Sequence, residues 1–288
     1  MSEKLLSRVA AVASNRADGA SGIAAQVIAI LADGVAEGGD LAPLARALVQ
    51  AQPSMAPVWN LVRHALAAAE SPTVFQDYVN RVVRAPRTLV REAVTFFRPQ
   101  ANTAPFRVVT LSASGTVLRT LTALAEQQRL EVACAEGHPA LEGRRMAASL
   151  AASGVAVTHY SDAALGQALD TVDVVMVGAD AVSPDWFLNK SGTRLLAAAA
   201  AHQGIPVYVC ATRDKFVSRS VAARLTIREE AASEIWQAPP AGITVRNRYF
   251  ETVPLDLVTA VISDFGVLGA ALVPDACSSA HDDLLLTL

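Results

Sequence analysis

Residues 172–193 read VDVVMVGADAVSPDWFLNKSGT. An apolar run ends at Gly178-Ala179-Asp180, and a short loop leads to Asn189 and Lys190. A carboxylate at a strand tip suits proton transfer, which needs a base about 3 Å from the proton it takes. Asn189 and Lys190 read as the start of the next helix, where exposed N–H groups and the helix dipole favour an anion and a lysine adds a full charge. A second candidate is SASGT (112–116), which puts Ser112 and Ser114 at the end of another apolar run and opens a helix with small residues, also suited to phosphate. Each has a plainer reading: Asp180 as a turn or cap, Lys190 as a solvated lysine, the serines as N-caps. His138 and His159 stand alone without metal-ligand spacing, so no metal and no cofactor is expected. The triplet RNR (246–248) is too short to mean nucleic acid.

These residues meet only if the fold brings them together. Residues 3–98 carry helical spacing, as in SGIAAQVIAILADGVAEG and APVWNLVRHALAAAE. From about Phe106 the period changes: RVVTL, LEVAC, VAVTHY, VDVVMVGA and IPVYVC alternate with amphipathic segments such as TVLRTLTALAEQQ, DAALGQALD and GTRLLAAAAAHQG. Near-continuous apolar strands separated by helices predict a parallel sheet covered on both faces. The fold class is therefore α/β, a Rossmann-like parallel-sheet domain over 104–288 behind an all-helical domain over 1–103, with the junction in FRPQANTAPF. ITVRNRYFETVP reads as a strand or loop and LDLVTAVISDFG (255–266) as a closing helix. In the strand order 3-2-1-4-5 the ends of the first and fourth strands are neighbours, and ligands bind at that crevice. Asp180 then faces Ser112.

The formal net charge is −3, with no basic surplus to call for nucleic acid or an acidic membrane. No uninterrupted apolar stretch of about 20 residues predicts a membrane span. Cys134, Cys210 and Cys277 are few, odd in number and without CxxC, which fits buried thiols in a reducing, cytoplasmic setting. A nicotinamide dehydrogenase is disfavoured because SASGT, not GxGxxG, follows the first strand.

Between residues 107 and 276 the ordered stretches LSASGTVLRTL, EGHPALEGRRMAASLAASGVAVTHYSDAAL, DVVMVGADAVSPDWFLNKSGT, GIPVYVCATRDKF, YFETVP and ISDFGVLG carry a resemblance. They are similar to the superfamily of the alpha, beta and delta subunits of eukaryotic translation initiation factor 2B. That superfamily also holds methylthioribose-1-phosphate isomerase and ribose-1,5-bisphosphate isomerase. The helical half matches more loosely, through DGASGIAAQVIAIL and PSMAPVWNLVRHAL. The resemblance implies Asp180 as the catalytic aspartate, Asn189 and Lys190 as a substrate-holding pair, and Lys215 near the ligand phosphate. It also implies a phosphate-contacting loop at Gly19 and Ser21, and a ligand contact at Arg144. A homodimer is its default assembly. Two positions depart from the isomerases: Ser112 stands where they place a catalytic cysteine, and His138 where they place an arginine. A thiol exchanges protons near neutrality, whereas a serine needs a neighbouring base. Two functions follow as expectations: an aldose–ketose isomerase of a pentose phosphate, or a non-catalytic subunit that senses a sugar phosphate or nucleotide.

Overall fold

In the computed structural model, residues 2–15, 18–38, 40–68, 73–98, 104–277 and 285 are described. Five helices come first: α1 (Glu3–Ser14), α2 (Ala20–Glu37), α3 (Ala42–Ala51), α4 (Ala56–Ala67) and α5 (Thr73–Phe96). Ser2 caps α1, its Oγ accepting from the Leu5 N–H. Helix α2 is long and apolar enough, by length and composition alone, to cross a membrane. Here its Ile23, Val27, Ile30 and Leu31 face the core with α4, as those of a core helix do. Helix α4 is buried on almost every side, through Val58, Trp59, Leu61 and Val62. It reaches the α/β part by two anchors. Ala56 N donates to Asp180 O (3.1 Å), and Asn60 Nδ2 donates to the carbonyls of Asp214 (2.7 Å) and Phe216 (2.9 Å). The expected junction at 97–106 lies partly outside the described residues.

The α/β part runs β1 (Phe106–Thr110), α6 (Gly115–Ala125), β2 (Leu130–Ala135), α7 (Glu142–Ala152), β3 (Ala156–Tyr160), a 3-10 stretch (Asp162–Thr171) and β4 (Val174–Gly178). It continues with β5 (Ala181–Val182), β6 (Trp186–Lys190), α8 (Thr193–His202), β7 (Val207–Cys210), β8 (Phe250–Pro254), β9 (Ala260–Ser263) and β10 (Gly266–Gly269). Among the described residues the main sheet has the order β10-β9-β7-β4-β1-β2-β3. All its pairs are parallel except β9–β10, and β1 lies against β4 with Val108 opposite Val174. The expected adjacency of first and fourth strands is present. Strand residues alternate between the two faces: Val108, Val132, Val174 and Met176 pack with α5, α6 and α7, while Val109, Ala133, Val175 and Val177 pack with α8 and the 3-10 stretch.

Three expectations are corrected. LDLVTAVISDFG is not a helix: after one 3-10 turn, Ala260–Ser263 form β9, with Val261 and Ile262 fully buried, and Gly266 at φ +118° turns the chain into β10. Burial on both faces suits a β-branched strand, which overrides the helical spacing of the apolar residues. DAALGQALD coils as the 3-10 stretch rather than an α-helix. The loop after Asp180 is a hairpin, β5–β6, extended by β8 into a small antiparallel sheet. Its turn is held by Ser183, whose N–H donates to Trp186 O at 2.8 Å.

Helix α7 sits close to β2. Gly143 N donates to Glu136 O (2.8 Å), and a Cβ on Gly143 would stand 1.7 Å from the Ala135 carbonyl oxygen. Gly143→Ala is therefore expected to lower stability by about 3 kcal/mol, the upper end of ordinary overpacking. A urea midpoint unchanged from wild type would refute this close approach.

Candidate functional site

Strands β1 and β4 end side by side beneath the starts of α2 and α6, and a cleft of about 440 Å³ opens there. A Cβ on Gly178 would stand 2.6 Å from Ser114 Oγ, so the tip of β4 can lie against the start of α6 only because that residue is glycine. Ser114 is also the N-cap of α6, its Oγ accepting from Val117 N (3.4 Å). The start of α2 abuts the same loop, since a Cβ on Gly19 would reach Ala113 O at 3.8 Å. Gly19 and Ser21 thus form one wall. Ser112, Asp180, Asn189, Lys190 and Lys215 line the rest.

The inner end is built around Glu142, which sequence reasoning missed. Ser112 holds a left-handed backbone (φ +67°), uncommon for a residue with a side chain. Its Oγ donates to Glu142 Oε1 at 2.8 Å. Lys190 Nζ meets the same oxygen at 2.6 Å, and its ammonium lies 4.9 Å from the centre of the Tyr249 ring. Glu142 Oε2 is buried without a hydrogen-bond partner. The glutamate opens α7 directly after Leu141, itself left-handed at φ +56°. The one available signal was its place beside Gly143, in a stretch already singled out.

Asp180 is anchored by its backbone, its N–H donating to Leu188 O at 2.8 Å. Burial pushes its carboxyl up to about 6; Lys215 and Lys190 oppose that shift, and Glu142 adds to it. Lys215 is buried and lines the cleft near it, while Asp214, also buried, does not line the cleft. Asp214 is also raised by burial, against the pull of Lys215. Asn189 Nδ2 donates to Thr193 Oγ1 (3.0 Å), whose hydroxyl donates to Lys190 O (2.6 Å).

Two placements differ from expectation. Asn189 and Lys190 do not open a helix; they end β6, and α8 starts at Thr193 with its N-terminus already filled by Glu251. The Glu251 Oε1 accepts from Gly192 N (2.6 Å) and Arg194 N (3.0 Å). Arg144 is exposed, outside the cleft, and donates to Glu136 Oε1 at 2.7 Å; the next residue on the helix, Arg145, lines the cleft instead. Arg119, one turn into α6, joins Arg145 on the exposed side. Among the described residues no cluster of His, Cys, Asp and Glu is arranged for a metal ion. The three cysteines are buried thiols, pushed up to about 11 (Cys134) and about 12 (Cys210 and Cys277) by burial.

Residues 18–270 match the model of the Initiation factor 2 subunit family. The chain is 32% identical over 163 residues to a putative methylthioribose-1-phosphate isomerase of Archaeoglobus fulgidus, covering 54% of this chain and 48% of that protein. It is 32% identical over 148 residues to ribose 1,5-bisphosphate isomerase of the same organism, covering 49% and 46%. The chain thus spans about half the length of these isomerase relatives. Among solved structures, translation initiation factor eIF-2B of Pyrococcus horikoshii superposes with a TM-score of 0.79 at 25% identity, over 93% of this chain and 98% of that one.

The acidity of Asp180 has a stability consequence. Between about pH 4, its unfolded value, and its folded value of about 6, the folded chain holds a proton that the unfolded chain has released. The stability from that protonated carboxyl is full below the lower value and lost as pH rises through the upper one. Asp180→Asn, which cannot ionise, is expected to melt above wild type at pH 8, with a smaller difference at pH 4. A variant that melts below wild type at pH 8 would remove burial as the dominant influence on this carboxyl.

Proposed function

The chain belongs to the Initiation factor 2 subunit family, and from that premise we propose that its cleft binds a phosphorylated pentose and that Asp180 moves a proton in an aldose–ketose isomerisation of that sugar. The observation that carries the reading is a half-buried carboxyl at the base of the cleft, raised by desolvation to about 6, close to the optimum for an acid–base group working near neutrality. The isomerase relatives support the substrate class.

In the conversion of a furanose 1-phosphate to the ketose 1-phosphate, the bond between C1 and the ring oxygen breaks. The ring oxygen gains a proton, the hydrogen on C2 moves to C1, and the 2-hydroxyl loses its proton as C2 becomes a carbonyl. Asp180 gives the ring oxygen its proton and takes up the one the 2-hydroxyl releases, so it ends the cycle as it began. Ser112, Asn189, Lys190 and Lys215 orient the sugar, with Ser114, Gly19 and Ser21 shaping the opposite wall. The cytoplasmic setting and the homodimer expected from the sequence belong to this proposal; sedimentation as a monomer at micromolar concentration would remove the dimer from it.

One residue favours a second reading. Ser112 has no acidity of its own near neutrality, and its hydroxyl is committed to Glu142. A cleft that binds a sugar phosphate without converting it would serve as a sensor, in the manner of an assembly subunit. NMR of ribose 1-phosphate, ribose 1,5-bisphosphate and methylthioribose 1-phosphate with wild type and Asp180→Asn separates the two. Turnover that falls by about a hundredfold or more in Asp180→Asn is expected. A ligand-dependent rise in melting temperature with no turnover of any of the three would replace the isomerase with the sensor.

A further inference from the structure

Helix α4 belongs to the helical half, yet it holds the backbone around two residues that line the cleft, Asp180 and Lys215. In its first turn, Ala56 N donates to Asp180 O at 3.1 Å, using an N–H that no carbonyl within the helix can reach. One turn on, Asn60 Nδ2 donates to the carbonyls of Asp214 (2.7 Å) and Phe216 (2.9 Å), the residues on either side of Lys215. A helical turn is rigid, so the two anchors keep a fixed spacing of about 6 Å along the axis.

The turn that carries Lys215 is short. Lys215 N donates to Thr212 O (2.9 Å) and Phe216 N to Arg213 O (3.1 Å), which sets its shape. Its two ends are tied elsewhere: Arg213 N donates to Asp264 Oδ1 (2.7 Å), and Val217 N to Val182 O (2.9 Å). Between those ties, Asn60 spends both amide hydrogens on the peptide groups that flank the lysine. Lysine is a point charge on a flexible stem, so where the charge stands depends on where its backbone is held. Asn60 is 1% exposed, and its Oδ1 is buried without a hydrogen-bond partner among the described residues. A buried acceptor without a donor is costly, and an apolar side chain would avoid that cost. What the amide adds is its pair of donors.

We propose that Asn60 is a positioning residue for the cleft. Through the carbonyls around Lys215 it sets where the Lys215 ammonium stands relative to Asp180, while Ala56 holds Asp180 from the same helix. Asn60 acts on the site without lining it. Its use in turnover rests on the phosphosugar reading above; the contact itself does not.

The Asp180 carboxyl reports the position of that ammonium. Lys215 is the strongest charge opposing its upward shift, and Glu142 and Lys190, which also act on it, stay in place in the variants used. Asn60→Ala leaves space and Asn60→Leu fills it. Neither donates, so a change shared by both comes from the lost donors. NMR of the carboxyl carbons in the ligand-free chain follows Asp180, identified by its absence from Asp180→Asn. Its midpoint of about 6 is expected to rise to about 7 in both variants. Lys215→Met is expected to raise it as far, and Asn60→Ala added to Lys215→Met to raise it no further. A midpoint that stays at the wild-type value in a folded Asn60 variant or in Lys215→Met overturns the positioning role. An undiminished further rise in the Lys215→Met background does the same. So does failure of both Asn60 variants to fold, which would make the residue purely structural. These titrations contain no sugar. Absence of turnover and of binding of ribose 1-phosphate by wild type would remove the phosphosugar reading and leave the positioning of Lys215 standing.

Discussion

The site depends on one contact, the ammonium of Lys190 against Glu142 Oε1 at 2.6 Å. It joins three segments that are far apart in sequence: the tip of β1 through Ser112, the first turn of α7, and the end of β6. Placing two charges out of water costs several kcal/mol per ion, so such a pair is poor evidence for stability. Its value lies in geometry. Either partner alone would be a dry, uncompensated charge, worth about 3–5 kcal/mol of instability, and any arrangement that separates the three segments is penalised accordingly. The ring of Tyr249 beside the ammonium lessens the desolvation further.

With Lys190 committed, the acidity of Asp180 becomes intelligible. Two lysines stand close enough to pull its carboxyl toward ordinary values, yet burial outweighs them and Glu142 assists burial. Without Glu142, both lysines would act against burial with no carboxylate to assist it, and the Asp180 carboxyl would shift down. Glu142 thus both pairs with Lys190 and adds to the burial that raises the neighbouring carboxyl.

How much of this could be read from residues alone follows from how local each signal is. The strand order was legible because RVVTL, LEVAC and VDVVMVGA are buried on both faces and announce themselves as apolar runs. The meeting of Ser112 and Asp180 then followed from topology, with no side-chain information needed. The strand β9 was not legible: VTAVIS has apolar spacing that suits either period, and only its place beside β7 decides. Lys190 was placed on a helix because NKSGT resembles an N-terminus, whereas pairing with β8 extends the strand to Lys190 itself. Arg144 and Arg145 differ by one step around α7, about 100°, and the orientation of that helix selects the second. Glu142 was hidden for the same reason: its aim is set by a left-handed Leu141 and a glycine packed on a carbonyl, neither of which has a pattern in sequence.

The hydroxyl of Ser112 limits where chemistry can reside. A thiol at that place would carry its own acidity; a hydroxyl donating to a carboxylate does not, and its lone pairs become a fixed acceptor. The inner end of the cleft holds two carboxyls, Asp180 and Glu142, in different surroundings. Environments that set two like groups apart are how one site divides acid–base work from binding. Because function lives in the site and not in the fold, the pairing of Ser112 with Glu142 bears more on what this cleft does than its sheet does.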